Sequence, residues 1–478
     1  MTKQLTAWID GRRSEGAATN GFDLTSPVTG ETLYRIVEND EATIDEAVES
    51  AYRAYRAHRK STIAQRVAWL EALAKAFEQD AARITDMIVN TIGKPRRAAN
   101  FEASRVGAFI RNCIAELLTQ RGEVLPLDSS PIGAGHLGIA RRIPYGIVAA
   151  VTPFNAPANL LVQKLAPALA TGNAIVVKPH PTGIEVALAF AELAKKAGLP
   201  DGLYNVVTGD RQAALRLVAH PKAAVVSLTG GVAAARALAA AAGPKKFCSE
   251  LGSNAANLVL ADANIEDAAT KIAAAAFEAS GQQCISAQRV IVEQPVFERF
   301  LEAFIAAAKK LKTGDPNDTT TDVGTMVSLA AAQRVMGMLG DAEAHGARIA
   351  LRPQVNGAYV SPGIIVEAPG KARVLCEEAF GPIVVVQPAR DLDHALAQAN
   401  ESQFGLQGAC FTSNLDTALR IADDFECGSV WINEASRFRL DMYPFGGVKD
   451  SGFGREGIRY AMEEYSQLKF VGMRASRQ

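Results

Sequence analysis

The feature that most constrains the fold is an alternation of apolar runs with helical segments between residues 146 and 228. The run Gly146–Val151 is continuously apolar, as expected for a strand buried on both faces of a sheet, and Ala174–Lys178, apolar up to its final lysine, is predicted as a second buried strand. The predicted elements, in chain order, are strand 146–151, helix 160–170, strand 174–178, helix 184–197, and strands 205–207 and 224–228. This β-α-β-α order predicts an α/β fold with a parallel sheet covered by helices on both faces.

Polar and glycine-rich segments follow three of these strands. They are Thr152-Pro153-Phe154-Asn155, Lys178-Pro179-His180 and Thr229-Gly230-Gly231. Ligands of open parallel sheets bind at the carboxyl ends of the strands. We therefore expect a ligand at these three segments.

The remaining chain divides into three further regions. The first 40 residues alternate short strands with turns, and residues 40–118 read as helices with a break at residues 92–95. A second α/β lobe begins near Leu258. Its predicted elements are strands 289–292, 383–386 and 428–432 and a helix over 296–311. The tail holds a glycine-rich loop at 443–457, a short helix and a final apolar strand at 468–471, which can pair with another subunit.

Composition narrows the class of protein. The chain has 478 residues, 48% hydrophobic and 21% charged, with a net charge of −1, so neither nucleic acid nor an acidic membrane surface is indicated as a partner. The basic pairs 96–97, 141–142 and 245–246 are short and typical of solvated faces. We expect no secretory signal, no transmembrane helix and no metal site. The scattered cysteines, without CxxC spacing, favour a reducing cytoplasm; they are residues 113, 248, 284, 376, 410 and 427.

One cysteine lies in a sequence context suited to chemistry. Cys284 follows Gly281-Gln282-Gln283, and these follow an alanine-rich helical run from Ala268 to Phe277. A helix that ends at Gly281 would use glycine as its C-terminal cap and would leave Cys284 on a turn beyond it. Such a thiol is either a nucleophile for a carbonyl group or a small buried residue, and the stretch alone favours burial.

Other residues supply what a nucleophilic thiol needs. An attack on an aldehyde creates an oxyanion, for which the side-chain amide of Asn155 is a candidate donor. Because a protein cannot accept a hydride, a nicotinamide cofactor is required. Lys178 is suited to its ribose hydroxyls, and Gly230 and Gly231 to a phosphate at the following helix. Glu250 is the candidate base that activates water against a thioester.

Seven motifs in this order resemble those of the aldehyde dehydrogenase superfamily over nearly the whole chain. They are Pro153-Phe154-Asn155, Lys178-Pro179, Leu228-Thr229-Gly230, Glu250-Leu251-Gly252, Gly281-Gln282-Gln283-Cys284, Glu378-Ala379-Phe380-Gly381-Pro382 and Pro444-Phe445-Gly446-Gly447 with Lys449, Ser451 and Gly452. Each motif alone is a weak signal, but seven in one order are specific.

The resemblance implies roles and an architecture. It assigns Cys284 as nucleophile, Glu250 as base and Asn155 as oxyanion donor. Its implied cofactor residues are Lys178, Thr229, Gly230, Gly231, Glu378, Phe380, Pro153, Phe154 and His180. It implies a Rossmann-type cofactor domain at 1–125 and 142–249, and a catalytic domain at 250–440. A β-flap at 126–141 and 441–478 would join subunits into a homodimer or homotetramer.

Three departures from the family pattern bear on the cofactor. Pro181 stands where NAD-preferring members often carry a glutamate for the ribose 2′-hydroxyl, which leaves NAD and NADP equally open. His180 or Arg211 is a candidate contact for a 2′-phosphate. Gly231 replaces a frequent serine, and Ser253 replaces a frequent glycine.

Candidate substrate residues are assigned by their positions relative to the substrate tunnel of the family that the chain resembles. Four residues share one face of a helix that resembles the tunnel wall: Phe109, Asn112, Cys113 and Glu116. An ordinary amphipathic helix explains this spacing equally well. The loop 433–443 would form the opposite wall, where Arg437 and Arg439 would bind an anionic tail. We therefore predict a small anionic or hydroxylated aldehyde as substrate.

Two alternatives remain open from the sequence. One is a dehydrogenase that transfers the acyl group to coenzyme A, although Glu250 argues against it. The other is a binding or structural protein that kept the fold and lost activity. The complete set of Cys284, Glu250 and Asn155 argues against this second alternative.

Overall fold

The computed structural model of the chain describes residues 2–14 and 20–474. Its helices, in chain order, are α1 Glu41–His58, α2 Ile63–Ile92, α3 Arg96–Thr119, α4 Pro157–Ala170, α5 Ile184–Lys196, α6 Arg211–Ala219, α7 Val232–Ala242, α8 Ile265–Phe277, α9 Phe297–Lys310, α10 Leu329–Ala344, α11 Arg373–Cys376, α12 Leu392–Asn400, α13 Leu415–Asp424 and α14 Ile458–Glu464. Residues 1, 15–19 and 475–478, which belong to the predicted cofactor domain and flap, lie outside the described residues.

The strands complete the inventory of the described chain. They are β1 Gln4–Leu5, β2 Trp8–Ile9, β3 Arg12–Arg13, β4 Gly21–Thr25, β5 Thr32–Val37, β6 Glu123–Leu125, β7 His136–Pro144, β8 Ile147–Thr152, β9 Ala174–Pro179, β10 Tyr204–Val206, β11 Ala223–Thr229, β12 Lys246–Glu250, β13 Ala256–Val259, β14 Arg289–Glu293, β15 Arg348–Leu351, β16 Val355–Asn356, β17 Tyr359–Val360, β18 Gly363–Val366, β19 Ile383–Ala389, β20 Phe404–Gly405, β21 Gln407–Phe411, β22 Ser429–Ile432, β23 Val448–Lys449, β24 Gly452–Phe453 and β25 Ser466–Arg474. The strands and helices predicted from the apolar pattern are confirmed, with ends that differ by a few residues.

The first large sheet has the strand order β24-β12-β11-β8-β9-β10-β2-β3. Its five central strands, β12 to β10 in this order, are parallel. The chain proceeds from β8 to β10 on one side and from β11 to β12 on the other. The strand order therefore reverses between β8 and β11, which is where α/β sheets bind ligands. Asn155 follows β8, Thr229 ends β11 and Glu250 ends β12.

The second large sheet has the order β15-β18-β19-β14-β13-β21-β22 and is parallel except for β15. Cys284 lies on the loop that enters β14, and Phe380 lies on the loop that enters β19. This sheet therefore presents the amino ends of its strands to the carboxyl ends of the first sheet. Loops at these two edges are in contact, since the rings of Phe154 and Phe380 lie 5.6 Å apart.

A third sheet, β25-β7-β6, is antiparallel and shares no strand with the other two. It begins at Glu123 and its middle strand ends at Pro144, so it exceeds the range 126–141 predicted for the flap. The tail also contributes β24, which pairs with Ser249 and Glu250 of the first sheet. The division of the chain into three domains stays a prediction.

Candidate active site

The loop that carries Cys284 has an unusual backbone. Helix α8 ends at Phe277, not at Gly281 as predicted, and a 3-10 turn over Glu278–Gly281 follows it. Ala279 and Ser280 have φ values of 53° and 58°, a left-handed conformation that is costly for residues other than glycine. The Ser280 hydroxyl donates to the Thr325 carbonyl at 3.1 Å, which holds this strained turn. Cys284 lies on the turn beyond it.

The surroundings of the Cys284 sulfur are mainly apolar. It packs beside Ile285, Leu406 and Phe445, and its thiol makes no hydrogen bond to a described residue. Burial raises the pKa of Cys284 to about 12, against which the positive charge of Arg439 acts in part. The sulfur is therefore a neutral thiol at rest, and it needs a base before it can act as a nucleophile.

Asn155 is held through its backbone. Its carbonyl accepts a hydrogen bond of 3.0 Å from Lys94 Nζ. Lys94 is buried and paired at 2.5 Å with Glu102, which also accepts from the N–H of Ala158 at the start of α4. The side-chain amide of Asn155 makes no hydrogen bond to a described residue, so both of its N–H donors are available.

The Asn155 loop and the Cys284 loop are linked by a short chain of contacts. Lys94 follows Gly93, whose carbonyl accepts from the N–H of Thr325, and Thr325 in turn binds Ser280. The backbone N–H of Cys284 makes no hydrogen bond to a described residue. An amide side chain and a backbone N–H, both without acceptors, are the two donors that an oxyanion site needs.

Replacing Asn155 by alanine is expected to lower kcat about 10²–10³-fold, because one preorganised donor to the oxyanion is lost. Cofactor affinity should stay unchanged, since the substitution leaves the backbone contact to Lys94 in place. Steady-state rates with an aldehyde, together with a cofactor titration, measure both quantities. An unchanged kcat would contradict the role of the amide.

Glu250 is buried where β12 meets the tail. Burial and then the charge of Glu456 raise the pKa of Glu250 well above its ordinary value. A side chain at Gly446 would lie 2.9 Å from Glu250 Oε1, so glycine leaves space for the carboxylate. Its Oε2 is buried without a hydrogen-bond partner. A carboxyl group with a raised pKa and a free oxygen is suited to proton transfer.

An ion pair beside Glu250 was missed in the sequence. Lys164 donates to Glu456 Oε1 at 3.1 Å, and Arg439 donates to Glu456 Oε2 at 3.0 Å. Burial disfavours the charge of Glu456, yet Lys164 and Arg439 keep its pKa below the ordinary value. Lys164, Glu456 and Glu250 line a cavity of about 10 Å³, which is large enough for a single water molecule. The available signal in the sequence was a lysine in a helix without any other charged residue, and α4 is in fact buried at almost every position.

An aromatic row lines the face of the first sheet that the second sheet approaches. His180, Phe154 and Phe380 follow one another with ring distances of 5.2 Å and 5.6 Å. Phe380 has a φ of 46°, so its backbone is also left-handed. Glu378 accepts from the N–H of Ser253 at 2.9 Å, and burial raises its pKa to about 7. The residues predicted for the nicotinamide side, including Pro153 beside Phe154, are therefore brought together.

The predicted phosphate contacts lie at the start of α7. Gly231 is the N-cap residue and provides no side-chain cap, so the first N–H groups of this helix lack a side-chain partner. A Cβ at Gly231 would meet no atom within 4 Å, and this open space fits a phosphate group. Gly230 precedes it, whereas the Thr229 hydroxyl is turned inward and donates to Glu456 at 3.4 Å. Gly230 and Gly231 are therefore well placed to bind a phosphate of a dinucleotide, whereas the Thr229 hydroxyl is already used within the protein.

At the ribose end of the predicted cofactor site, the pKa values of Lys178 and His180 are lowered. Burial lowers the pKa of Lys178 to about 8. Burial and the neighbouring Lys178 lower the pKa of His180 to about 4, so His180 is neutral at pH 7. It therefore brings no positive charge to a 2′-phosphate. Arg211 is exposed at the start of α6.

The predicted substrate residues separate into distinct environments. Phe109 and Cys113 are buried in the hydrophobic core around the first sheet. Asn112 is exposed and Glu116 is half-buried, so this helix face spans core and solvent. Helix α3 does face the predicted opposite wall, because Arg105 pairs with Asp441 at 2.8 Å.

The two predicted arginines also differ. Arg437 is used within the protein: its Nε donates to Gln283 at 2.8 Å and its Nη1 to Glu278 at 2.5 Å. It therefore braces the Cys284 loop. Arg439 lies over the Phe445 ring at 3.6 Å, and its Nε is buried without a partner. Of the two, Arg439 retains a donor for a substrate.

Among the described residues, no group of three or more His, Cys, Asp or Glu side chains is arranged to hold a metal ion. None of the helices in that part of the chain is long and apolar enough to cross a bilayer. The six cysteines are all unpaired.

Two largely parallel sheets, with a candidate thiol, carboxyl group and amide on the loops and strand ends where they adjoin, are the arrangement of an α/β enzyme of the dehydrogenase type. The model of the aldehyde dehydrogenase family matches residues 13–471, and the chain belongs to this family. The predicted family, fold class and enzymatic nature are confirmed.

Individual relatives carry more specific names. The chain is 33% identical over 450 residues to aspartate-semialdehyde dehydrogenase 1 of Pseudomonas canavaninivorans, covering 94% of this chain and 96% of that enzyme. It is 35% identical over 405 residues to 3-sulfolactaldehyde dehydrogenase of Priestia megaterium, covering 84% of this chain and 85% of that enzyme.

Solved structures are similar over the whole chain. NADP-dependent glyceraldehyde-3-phosphate dehydrogenase from Bacillus halodurans C-125, complexed with NADP, has a TM-score of 0.96 and 29% identity, covering 100% of both chains. An NAD-dependent aldehyde dehydrogenase from Sinorhizobium meliloti has a TM-score of 0.95 and 28% identity, covering 100% of this chain and 96% of that one. The prediction that the cofactor is either NAD or NADP is confirmed by these similarities, and the choice between the two stays open.

Proposed function

We propose that this protein oxidises a small anionic or hydroxylated aldehyde to a carboxylic acid, with Cys284 as nucleophile, Asn155 as oxyanion donor and Glu250 as base. One observation carries the proposal. The Cys284 thiol, the Asn155 amide and Glu250 Oε2 make no hydrogen bond to a described residue, and Glu250 lies close enough to Cys284 for its charge to affect the thiol. Leaving three polar groups unpaired is unfavourable unless a ligand engages them.

The reaction begins with proton transfer from the Cys284 thiol to Glu250. The thiolate then attacks the carbonyl carbon, a C–S bond forms, and the carbonyl π electrons move to oxygen. Asn155 and the Cys284 N–H stabilise the resulting oxyanion. A bound nicotinamide cofactor would supply the hydride acceptor, and loss of the hydride from this carbon would leave a thioester on Cys284.

Hydrolysis of the thioester returns the enzyme to its starting state. Before hydrolysis, Glu250 releases the thiol proton to solvent and becomes a carboxylate again. It then takes a proton from a water molecule, whose oxygen attacks the thioester carbon. The C–S bond breaks, the acid leaves, and the thiolate takes back this second proton from Glu250. Glu456 raises the pKa of Glu250 and Lys164 lowers it, so both residues influence the proton transfers from the thiol and from water.

The cofactor contacts follow from the same cleft. Glu378, Phe380, Pro153 and Phe154 would hold the nicotinamide half, and the start of α7 the phosphates. Lys178 would bind the ribose hydroxyls. Without an acidic residue at Pro181, both NAD and NADP are accommodated.

Affinity for NADP is expected to fall as the pH rises from 7 to 9, because the free Lys178 ammonium has a pKa of about 8. The positive charge is present below this value and lost above it, and the 2′-phosphate needs that charge more than a hydroxyl does. Fluorescence titrations at several pH values measure the trend. A Lys178→Arg variant should show no such fall, and a flat profile in the unsubstituted enzyme would refute the contact.

The substrate class rests on Arg439. Its buried guanidinium lies beside Cys284, as their mutual electrostatic effect indicates, and one of its donors is free. The related enzymes named for aspartate semialdehyde and 3-sulfolactaldehyde act on small aldehydes with an anionic group. A buried guanidinium beside Cys284 favours binding of an anionic aldehyde over a neutral one.

Replacing Arg439 by glutamine is expected to lower kcat/KM for 4-oxobutanoate about 10–100-fold more than for butanal, since only the former loses a charged contact. Comparing two substrates on one variant cancels any effect through Glu456. Arg437→Gln is the matched control and should affect both substrates equally, because Arg437 braces the Cys284 loop. Faster turnover of butanal than of 4-oxobutanoate by the unsubstituted enzyme would disprove the substrate class.

Assembly into a homodimer or homotetramer is proposed through β25. This strand is an edge of its sheet and exposes three large apolar side chains, which are Leu468, Phe470 and Met473. An unpaired apolar edge invites pairing with a second copy. A cytoplasmic location is proposed because the catalytic thiol and the other unpaired cysteines require a reducing compartment.

The decisive experiment is an absorbance assay over a panel of aldehydes with NAD and NADP supplied separately. Cofactor reduction with a small charged or hydroxylated aldehyde supports the proposal. Reduction that depends on added coenzyme A would favour the acylating alternative, and no reduction with any aldehyde would favour a silent homologue.

A further inference from the structure

A basic cavity opens on the surface away from the cleft, between the end of α1, the start of α2, the end of α3 and β7. Its volume is about 510 Å³, and no acidic side chain lines it. Its cationic residues are Arg59, Lys60, Arg66, Arg121, Arg141 and Arg142. The pair 141–142, which reads as a solvated face in the sequence, is thus joined by four further cations.

The charges of the basic cavity are not neutralised within the protein. None of the six cations forms an ion pair with a carboxylate among the described residues, whereas Arg111 on α3 pairs with Glu78. Arg66 Nη1 and Arg142 Nη1 bind backbone carbonyls, at 2.5 Å and 3.1 Å. The Nε of Arg66 is buried without any partner. Six like charges around one concavity, in a chain of net charge −1, create a strong local positive potential.

Helix ends add to this potential. Helix α2 starts at Ile63 on the wall of the cavity, and the N-terminus of a helix carries partial positive charge. The negative end of α4 also reaches the cavity, but Arg66 covers its Ala170 carbonyl. Neutral hydrogen-bonding groups, such as Ser61 and Gln120, complete the lining.

The cavity is separate from the catalytic cleft. Helix α4 connects the two places: it starts beside Asn155 and ends at Ala170, next to the cavity. Its 14 residues span about 21 Å, so a molecule in the cavity does not reach Cys284. The cavity volume lies within the range of small-molecule sites, and its concave shape suits a compact ligand.

We propose that the basic cavity is a second ligand site, which binds a small phosphate compound with several negative charges, of nucleotide or polyphosphate size. Arginine forks match the geometry of phosphate oxygens, and the number of cations calls for more than one phosphate group. The site takes its charge from Arg121 and Arg141 at the rim and from Arg66 at the base.

Calorimetric titration with inorganic tripolyphosphate tests this proposal. The enzyme is first saturated with its cofactor, so that the dinucleotide site is filled, and physiological salt is present to screen weak surface contacts. One saturable site per subunit is expected. In an Arg121→Gln/Arg141→Gln variant the Kd should rise about 100-fold, because two charge-assisted contacts are lost.

The matched control is an Arg348→Gln/Arg390→Gln variant. It removes the same charge from two exposed residues outside the cavity, and its Kd should change less than about twofold. All four substituted arginines are exposed and without ion pairs, so both variants are expected to fold, which melting curves verify. Absence of saturable binding, equal binding by both variants, or binding of a long nucleic acid but not of tripolyphosphate would overturn the proposal. Tighter binding of ATP than of tripolyphosphate would support a nucleotide as the ligand.

Discussion

Replacing Cys284 by alanine is expected to reduce aldehyde oxidation by about 10⁴-fold or more, because no other group near the carbonyl carbon can form the covalent intermediate. The cofactor should still bind with its original affinity, since the thiol makes no hydrogen bond that supports the cleft. Absorbance assays give the rate, and fluorescence titration gives the affinity. The variant should fold normally, because Cys284→Ala removes only one sulfur atom from a partly exposed position.

The matched control is Cys376→Ser. Cys376 is exposed, and its thiol donates a hydrogen bond to the Gly370 carbonyl. This variant should keep nearly full activity and should remain sensitive to thiol-alkylating reagents, whereas Cys284→Ala should no longer be a target for inactivation. Substantial turnover by Cys284→Ala would disprove the nucleophile assignment.

Replacing Glu250 by glutamine is expected to lower steady-state turnover about 10²–10⁴-fold, because the thioester loses its general base. Glutamine has nearly the same size and shape as glutamate and fits the space that Gly446 leaves beside position 250, so the fold should be preserved. If attack by the thiol is slowed less than hydrolysis, one equivalent of reduced cofactor per active site should form in a burst. Rapid mixing with absorbance detection separates the two phases.

A small added thiol provides the control for this variant. It attacks the thioester without needing the base, so it should restore turnover to Glu250→Gln but not to Cys284→Ala. In the unsubstituted enzyme, hydrolysis should accelerate as the pH rises, because burial raises the pKa of Glu250 and the carboxylate fraction grows with pH. A Glu250→Gln enzyme with normal steady-state turnover would refute the role of the base.

The candidate catalytic residues could be proposed from the sequence because each belongs to a short motif of the family that the chain resembles. Asn155 and Lys178 lie at the ends of apolar strands, which the sequence predicts, whereas β12, which ends at Glu250, has the mixed sequence KFCSE and was not predicted. The loop of Cys284 was harder, because its left-handed residues Ala279 and Ser280 are not the glycines that such a backbone favours. That is why the end of α8 was placed four residues too late.

The contacts between the two lobes were beyond sequence reasoning. Arg437 and Arg439 are two residues apart and look equivalent in the sequence, yet one binds Glu278 and the other lies against Phe445 and Glu456. Their difference depends on how the loop 433–443 packs against α4 and against the Cys284 turn. No local pattern encodes that packing.

The sequence by itself determined the α/β class, most of the strands and helices along the chain and the candidate residues for the chemistry, because periodicity and motif spacing are local properties of a chain. Only the tertiary structure decided which of those residues are left without partners, that Lys164 and Glu456 adjoin Glu250, and that six distant cations line one cavity. The physical reason is that these features arise from side chains tens to hundreds of positions apart. Their separations are fixed by sheet order and helix packing, which depend on the whole fold.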